Sequence, residues 1–594
     1  MKCYLLMNWI QVIDPFDNIA LSALVAVLPI LFIFWALVIK RMKGYTASLL
    51  ATGIAILIAI LVYGMPIQLA LLSTANGALY GLFPICWIVI TAVFLFNITV
   101  ESGQFEVIKH FMASITSDRR LQALLIAFSF GSFLEGTAGF GAPVAITAAM
   151  LVGLGFNPLY AAGICLIANT APVAFGAIGI PITVASQVTS IPEMAISQMV
   201  GRTLPILSVL LPFYLVMLMS GYKKTVEVLP AILVSGCSFA FIQWFSSNYL
   251  GPALPDVIAG IGSIVCLIVL LRFWKPKNTW RFDNEPAPVM DTGITYSTGQ
   301  IIRAWSPFIL LTIMIIAWGT KPIKEVFNAV GQWQFEFPGL HNLISDRKGN
   351  SIPHVYKFNY LSAAGTAILL SALISIPLIG LTFNRAAGLF LSTLKQLKFP
   401  IITIASVLGF AYIVNDSGIT ITMAVALANT GFLFPFFAPV LGWLGVFITG
   451  SDTSANALFG KLQSTTATSI GVDPVITVAA NVSGGVVGKM ISPQSIAVAA
   501  AAGQLVGRES ELFRFTVKHS FILLLFICFI VLAQAYVFSW IIPDYQMLNP
   551  SNSAPSPDFT KGYTYLLLLL VVVIAFSVLI MRVKKRTKDF VRQE

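Results

Sequence analysis

Two short polar stretches place a carboxylate inside long apolar sequence, where it could carry a proton. Residues 131–146 (GSFLEGTAGFGAPVAI) hold Glu135 among four glycines, and residues 450–456 (GSDTSAN) hold Asp452 among hydroxyl and amide side chains. An ionisable group at membrane depth costs roughly 2.5–3.5 kcal/mol on insertion scales and usually marks a route for ions or protons. Within a membrane, we therefore predict that Glu135 or Asp452 carries a transported proton.

Further polar residues in the same bends, and in two interrupted apolar segments, are predicted to bind a substrate. Half-helix N-termini direct positive dipole ends into such a space, which favours an anion, and hydroxyl and amide groups would suit a small hydroxy-carboxylate. Lys489 is the one cation among them. The predicted substrate-binding residues are Thr137, Gly139, Asn169, Ser451, Thr453, Ser454, Asn456, Asn481, Lys489, Ser492 and Gln494.

The charged members of this set also have structural interpretations. Glu135 could be an acid paired with a basic residue such as Lys489, and Asp452 could cap the N-terminus of a half-helix. Lys489 could instead extend its ammonium group to the inner membrane surface. The sequence leaves these interpretations open beside the functional ones.

The composition indicates that these residues lie in a membrane protein. Of 594 residues, 57% are hydrophobic and only 10% are charged, whereas a soluble domain carries about 25% charged residues. Apolar runs such as 25–39 and 566–580 recur along the chain, and a membrane span needs roughly 20 mostly apolar residues. We predict an all-α polytopic membrane protein with 12–14 membrane segments.

The net charge of +11 indicates how the protein is oriented in the membrane rather than that it binds nucleic acid. Basic residues collect in short loops between the apolar runs, and such loops are cytoplasmic in membrane proteins. The stretch SGGVVGKM (483–490) resembles a phosphate-binding loop but lacks its first glycine and its final Ser or Thr. The four histidines are not spaced as metal ligands, and we expect no cofactor, no metal and no enzymatic activity.

The chain contains two copies of one scheme. Residues 121–153 and 433–470 each predict a hairpin of two half-length arms, and residues 158–190 and 475–506 each predict a broken span. The turns GFNP (155–158) and GVDP (471–474) match at an offset of 316, whereas Asn169 matches Asn481 at an offset of 312. The predicted breaks lie at 169–172 and 176–181 in the first copy, and at 481–485 and 488–493 in the second.

The two copies are predicted to face opposite sides of the membrane. Residues 66–83 are doubtful as a span, and residues 398–430 count as one crossing. Seven crossings then separate the two turns, so the hairpins enter from opposite faces. Such inverted repeats with discontinuous helices hold their substrate near the midplane, at the repeat interface.

The predicted organisation follows from this path. The N-terminus (1–19) lies outside and is followed by scaffold spans (20–103) and a first transport core (104–190). Further scaffold spans (191–319 and 359–430) flank a large outside loop (320–358). A second transport core (431–507) precedes the C-terminal spans and the basic cytoplasmic tail (508–594).

The longest motifs resemble one family. The stretches FLEGTAGFGAPVAITAAMLVGLGF (133–156), NTAPVAFGAIGIPI (169–182), LGWLGVFITGSDTSANALFG (441–460), GKMISPQSIA (488–497) and ESELFRFTVKHS (509–520) are similar to the lactate permease family. The resemblance covers roughly residues 14–543. It implies a multi-pass transporter of the bacterial cytoplasmic (inner) membrane that imports L-lactate, D-lactate and glycolate by proton symport. It also suggests kinship with transporters that move a substrate-holding domain against a scaffold.

Two other classes of transport remain compatible with the residues. A sodium-coupled carboxylate transporter would use Asp452 and neighbouring oxygens as cation ligands, and a passive anion channel would need no coupling at all. The expected partners are a small 2-hydroxy-monocarboxylate, protons and membrane lipid, and the sequence leaves a homo-oligomer open.

Overall fold

The computed structural model describes residues 8–40, 42–137, 139, 141–282, 296–347, 349–505, 508–548 and 559–591. Within these residues, twelve helices are long and apolar enough to cross a membrane, or thirteen when one bent pair is counted as a span. The strands are confined to two small two-stranded sheets. The predicted all-α polytopic class and the number of segments are thus confirmed.

The helices of the first half of the chain lead from the N-terminus through the first hairpin and the first broken span. They are α1 (Ile19–Ala26), α2 (Leu28–Phe34), α3 (Gly44–Leu61), α4 (Ile67–Tyr80), α5 (Trp87–Glu101), α6 (Gln104–Ser114), α7 (Arg119–Gln122), α8 (Gly131–Thr137), α9 (Ala142–Gly153), α10 (Pro158–Ala168), α11 (Gly176–Thr189), α12 (Glu193–Val226) and α13 (Leu229–Tyr249).

The helices of the second half follow the same order of features and add one helix at the end. They are α14 (Pro255–Phe273), α15 (Thr298–Gly319), α16 (Lys321–Gly331), α17 (Ala364–Ile379), α18 (Phe383–Asp416), α19 (Ile419–Ala428), α20 (Phe434–Thr449), α21 (Asp452–Ser469), α22 (Pro474–Lys489), α23 (Pro493–Ala502), α24 (Glu509–Tyr536) and α25 (Phe559–Val591).

Two long helical segments form the centre of the scaffold, and they correct two sequence predictions. Helix α4 is followed by a π-helical segment, which has a kink at the extended Phe83, and then by α5, so Ile67–Glu101 forms one kinked stretch of 35 residues. It runs antiparallel to α18, with Ser73 bonded to Asp416 at one end and Asn97 bonded to Thr393 towards the other. The doubt about residues 66–83 was therefore wrong, because their polar residues pack between helices rather than lying at a surface.

The predicted single crossing at 398–430 was also wrong. Helix α18 already begins at Phe383 and ends at Asp416, and α19 is a separate helix. Between them, Gly418 takes a left-handed conformation with φ of 88°, which ends the first helix without the steric cost that other residues would have.

Both predicted re-entrant hairpins are present. The first arm of hairpin 1 consists of α7, the π-helical segment Ala123–Phe130 and α8, and its second arm is α9. Hairpin 2 consists of α20 and α21, which are joined at Gly450 in a left-handed conformation. The arms α9, α20 and α21 have 12, 16 and 18 residues, so only α9 is near the half-span length that the sequence predicted for hairpin 1.

Both broken spans are present, and in the second copy the break lies at only one of the two predicted places. Helices α10 and α11 are bent by 63° across the break that follows Ala168, as the sequence indicates. In the second copy, α22 runs without interruption through 481–485, and the break lies at 490–492. Asn169 therefore ends a helix whereas Asn481 lies inside one, so these two asparagines are not structurally equivalent.

The glycines of α22 serve close packing rather than chain breaking. A methyl group built on Gly484 would lie 1.9 Å from the carbonyl oxygen of Pro439 in α20. Small residues allow helix backbones to approach in this way inside membranes. In the most apolar 18-residue stretch of Pro474–Ala502, 94% of the residues are buried inside the protein, so its polar groups are shielded from lipid.

The two hairpins enter from opposite ends of α24. At the open end of hairpin 1, Arg120 donates to the backbone of Lys224 (2.7 Å) and Asn278 (2.9 Å), and the nearby Tyr160 ring packs on Phe515 near the start of α24. At the open end of hairpin 2, Phe432 accepts a hydrogen bond of 2.9 Å from Tyr536, the last residue of α24. The basic clusters around hairpin 1 make its end cytoplasmic, and the predicted inverted topology is confirmed.

The outer face of the scaffold carries a small folded loop. Strand β1 (Trp9–Ile10) pairs with β3 (Ile344–Ser345), and β2 (Trp333–Glu336) pairs antiparallel with β4 (Val355–Phe358).

Helix α25 is the least buried of the candidate spans. Only 11% of the residues in its most apolar stretch are buried inside the protein. Such a helix is suited to contact with lipid.

The opposed orientation predicts opposite accessibility of two exposed serines. Ser117 precedes the first arm of hairpin 1, and Ser469 ends the second arm of hairpin 2. In a variant without native cysteines, an impermeant maleimide should label Ser117→Cys only from the cytoplasmic face and Ser469→Cys only from the outer face. Labelling of both from one face would contradict the inverted arrangement.

Candidate functional site

A small cavity of about 70 Å³ lies where the two hairpin turns meet the two broken spans. A buried water needs roughly 10–15 Å³ by this kind of measure, so the cavity has room for about five waters, or for one acid with three carbons. Its lining residues are Glu135, Gly139, Gly141, Val173, Gly176, Ala177, Pro181, Gly450, Ser451, Asp452, Thr453, Lys489, Gln494, Ser495 and Val498.

Helix N-termini from all four interrupted elements converge on this cavity. Gly141 precedes α9, Ser451 caps α21 and Ser492 caps α23, each immediately before the first helical residue. Helix α11 resumes regular geometry only after Gly179. Free backbone N–H groups and the positive ends of the helix dipoles favour an anion at such a point.

The break before α11 is held in a strained backbone conformation. Ala177 and Ile178 have φ of 47° and 62°, in the left-handed region that a β-branched residue rarely adopts. Such residues cost of order 1–3 kcal/mol each and persist where the surroundings hold them. Here a methyl group built on the following Gly179 would lie 2.4 Å from the carbonyl oxygen of Pro252, so tight packing holds the segment beside the cavity.

One ion pair crosses the cavity between the two copies. Lys489 Nζ lies 2.7 Å from Glu135 Oε1, and the two side chains are 13% and 2% exposed. The alternative in which Lys489 reaches the inner surface is therefore wrong, and the alternative in which it pairs with Glu135 is confirmed. An ammonium group has three donors, so this pair leaves Lys489 able to bind a second acceptor.

The second predicted acid is buried without any hydrogen bond. Neither oxygen of Asp452 has a partner within 3.5 Å in the described part of the chain. The cap of α21 is instead Ser451, whose Oγ accepts from the backbone N–H of Ser454, so the capping interpretation of Asp452 is wrong. Asp452 lies over α22, because a methyl group built on Gly485 would be 2.1 Å from its Oδ1.

A third buried acid, Asp256, was not predicted from the sequence. It lies in the first turn of α14, is 1% exposed, and accepts one hydrogen bond of 3.3 Å from Gln243. A methyl group built on Gly136 would lie 2.9 Å from its Cβ, so Asp256 packs directly behind the end of hairpin 1. An acid so near an apolar span could have attracted notice, but a first-turn Asp beside a proline is typical of an ordinary helix start.

Six of the predicted polar residues do not line the cavity. Asn456 donates 3.2 Å to the backbone of Pro181 and accepts 2.8 Å from Asn481, so these two asparagines tie hairpin 2 and α22 to the first broken span. Thr137 bonds back to its own helix and Ser492 caps α23. Ser454 lies in the first turn of α21, and Asn169 ends α10. Their roles in substrate binding stay predictions.

The charges around the cavity do not balance. Glu135, Asp256 and Asp452 are at most 3% exposed, and in the described structure Lys489 pairs with Glu135 alone among them. If all were ionised, the group would carry two excess negative charges before any anion entered. Uncompensated buried charges are expensive, so protons or another cation would have to neutralise them.

Comparison with known proteins finds relatives along most of the chain. The family model described as L-lactate permease matches residues 22–538. The chain is 58% identical to the L-lactate permease of Bacillus subtilis (strain 168), over 90% of this chain and 100% of that protein. It is 53% identical to glycolate permease GlcA of Escherichia coli (strain K12), over 90% of this chain and 99% of that protein.

Similarity to solved structures is weaker. The chain is similar to MtrF of Neisseria gonorrhoeae with a TM-score of 0.42 and 13% identity, over 79% of this chain and 84% of that one.

The match to the family model ends at residue 538, before α25 begins at Phe559. The last helix therefore lies outside the part of the chain that the family shares.

The buried ion pair predicts a large loss of stability when one partner is removed. Lys489→Met leaves Glu135 without its cation and should lower the free energy of unfolding by about 3–5 kcal/mol, whereas Glu135→Gln with Lys489→Met should recover most of the loss. Unfolding in detergent micelles measures both. The control is Lys109→Met, which removes an exposed pair with Glu106 and should cost less than about 1 kcal/mol. Equal effects of the two lysine substitutions would contradict a buried pair.

Proposed function

The chain belongs to the L-lactate permease family, and on that premise we propose that it imports L-lactate, D-lactate and glycolate by proton symport. It is a multi-pass permease of the bacterial cytoplasmic membrane and not an enzyme. The observation that supports the choice of substrate is the convergence of helix N-termini and one lysine on a cavity that suits three carbons.

The substrate carboxylate would lie against Lys489 and the backbone N–H groups at the starts of α9 and α21. Ser451 Oγ already accepts a hydrogen bond from Ser454, so its own proton is available to a substrate oxygen. Thr453 and Gln494 face the same cavity. Such groups would bind the 2-hydroxyl, which distinguishes a hydroxy acid from a simple carboxylate of similar size.

The unbalanced charge supports the proposal of proton coupling. A monoanion that enters a negative interior works against about 2.3 kcal/mol per 100 mV, and one accompanying proton cancels its charge. We propose that Glu135 or Asp452 carries this proton and that Asp256 stabilises the site behind them. Each of the three has at least one buried carboxylate oxygen without a hydrogen bond in the described residues.

Transport also requires the site to face the two sides in turn. We propose that residues 104–190 and 431–507 form a transport core that moves against the scaffold of α4, α5 and α18. The core holds every residue that lines the small cavity, so it could carry the substrate as a unit. Membrane lipid would surround the outer helices, among them α25.

Sodium coupling is the second candidate, and the unpartnered oxygens of Asp452 favour it. Hard cations prefer oxygen ligands, and this carboxylate lies beside the hydroxyl groups of Ser451 and Thr453 at the cavity. A sodium ion would balance the same excess charge that a proton balances.

Uptake into proteoliposomes tests the proposal. With an imposed inward proton gradient, the parent protein should accumulate labelled L-lactate, glycolate should compete, and a protonophore should abolish accumulation. Glu135→Gln and Asp452→Asn, singly or together, should reduce this accumulation at least tenfold while leaving exchange of labelled for unlabelled lactate measurable. Glu106→Gln, an exposed acid on α6, is the control and should behave as the parent.

Two results would overturn parts of this account. Proton-driven accumulation that survives neutralisation of both acids would exclude them as carriers. Accumulation that requires sodium at fixed pH, and fails when choline replaces it, would assign the coupling to sodium.

A further inference from the structure

A second and much larger cavity, of about 610 Å³, lies on the outer side of the protein. Its walls come from the scaffold helices α4 and α18, from the outer loop around His354, and from the core helices α11 and α21. We call it the outer vestibule. The hydrogen bond of 2.9 Å from Leu548 to the backbone of Ser190, at its edge, places it on the same side as the open end of hairpin 2.

The outer vestibule and the substrate cavity share two helices. Helices α11 and α21 line the small cavity with their first residues, Ala177 and Pro181 in one and Asp452 and Thr453 in the other. The same helices line the outer vestibule with their later residues, among them Ser186 and Lys461. At a rise of 1.5 Å per residue, Lys461 lies about 13 Å along α21 from Asp452.

Among the described residues two acids line this space, Asp346 in the outer loop and Asp416 at the end of α18, and both are already engaged. Asp416 Oδ2 accepts 2.6 Å from the Ser73 hydroxyl and lies 3.0 Å from His354 Nε2. Burial by itself would lower the pKa of His354, but the charge of Asp416 and its hydrogen bond outweigh burial and raise that pKa above its usual value. The hydroxyl group of Ser73 and the imidazole of His354 therefore both engage Oδ2 of Asp416.

Lys461 itself has no such partner. Within the described residues, no hydrogen bond or ion pair engages its ammonium group, although it projects into the outer vestibule from the middle of α21. A cation at this depth costs a few kcal/mol on insertion scales and usually faces a water-filled pathway with a function. A structural partner in the scaffold would have relieved that cost, and none is provided.

We propose that Lys461 is an outer binding site for the carboxylate of a small organic anion, which it captures before the anion moves to the cavity between the hairpin turns. This inference rests on the proposed function, because it assigns the anion to the same transport route. The ammonium group would bind the carboxylate, and the buried Oδ1 of Asn76 on the opposite wall, which has no partner among the described residues, would accept a hydrogen bond from a hydroxyl group of the anion.

The first test is the concentration dependence of L-lactate uptake in proteoliposomes with a fixed pH gradient. Lys461→Gln should raise KM about tenfold with kcat within twofold, as expected when a site contributes binding without contributing to the later step. Lys461→Arg, which keeps the charge, should stay within threefold of the parent. Lys321→Gln is the control, because the Lys321 side chain at the start of α16 is 80% exposed and is not among the residues that line the vestibule.

The second test restores the charge chemically. In a variant without native cysteines, Lys461→Cys should show the raised KM. External treatment with (2-aminoethyl) methanethiosulfonate, which adds an ammonium group, should lower KM towards the parent, whereas the 2-sulfonatoethyl reagent should raise it further. A merely structural role for Lys461 would not distinguish the two reagents.

The outcomes separate this inference from the proposed function. If the parent itself takes up neither L-lactate nor glycolate, the proposed function fails. If the parent transports and Lys461→Gln keeps the parental KM, or if both reagents change Lys461→Cys alike, the outer site is contradicted while the proposed function stands. If Lys461→Gln does not fold, a KM rise of tenfold or more in Lys461→Arg would equally contradict a role that depends on charge.

Discussion

The buried ion pair between Lys489 and Glu135, with two further buried carboxylates nearby, is the interaction on which the rest of the structure depends. Lys489 belongs to the second broken span, whereas Glu135 belongs to hairpin 1, so their ion pair joins the two inverted copies at the middle of the protein. The desolvation of a buried pair is costly, and its mutual attraction repays this only with good geometry and further hydrogen bonds. With Asp256 and Asp452 unpaired nearby, the site is electrically incomplete and open to protons and anions.

The helices are interrupted where this charge chemistry takes place. Non-helical backbone at membrane depth survives only where protein or a wet cavity satisfies its polar groups, and here every break faces the same small space. Gly450 makes one turn in a left-handed conformation, and Ile178 is held in that region despite its branched side chain. Tight packing holds these residues in the left-handed conformation. As a result, backbone N–H groups point into the small cavity.

Much of the site could be predicted because its signals are local. Glu135 among glycines, and Asp452 in a run of hydroxyl residues, contrast with the apolar sequence around them, and the prolines and glycines after Ala168 together indicate a broken helix. Lys489 stood out as a lone cation. The arrangement of the hairpins followed from counting crossings, even though the count assigned α18 and α19 incorrectly.

The remainder depended on contacts between distant parts of the chain. A glycine can break a helix or let a neighbour approach, and only the packing of α22 on α20 shows that 481–485 does the second. Asp256 has the sequence context of an ordinary helix start, and its contact with Gly136 arises from the tertiary fold. Lys461 lies in a polar helix whose functional face no periodicity reveals, because the scaffold opposite it is distant in sequence.

The most direct measurement is an experimental map of the protein in a membrane-like environment with L-lactate bound, determined by cryo-electron microscopy. The ligand carboxylate should lie within hydrogen-bond distance of Lys489 Nζ or of the first N–H groups of α9 or α21, between the two hairpin turns. Well-defined ligand density elsewhere, with this cavity filled by ordered water or collapsed, would contradict the account.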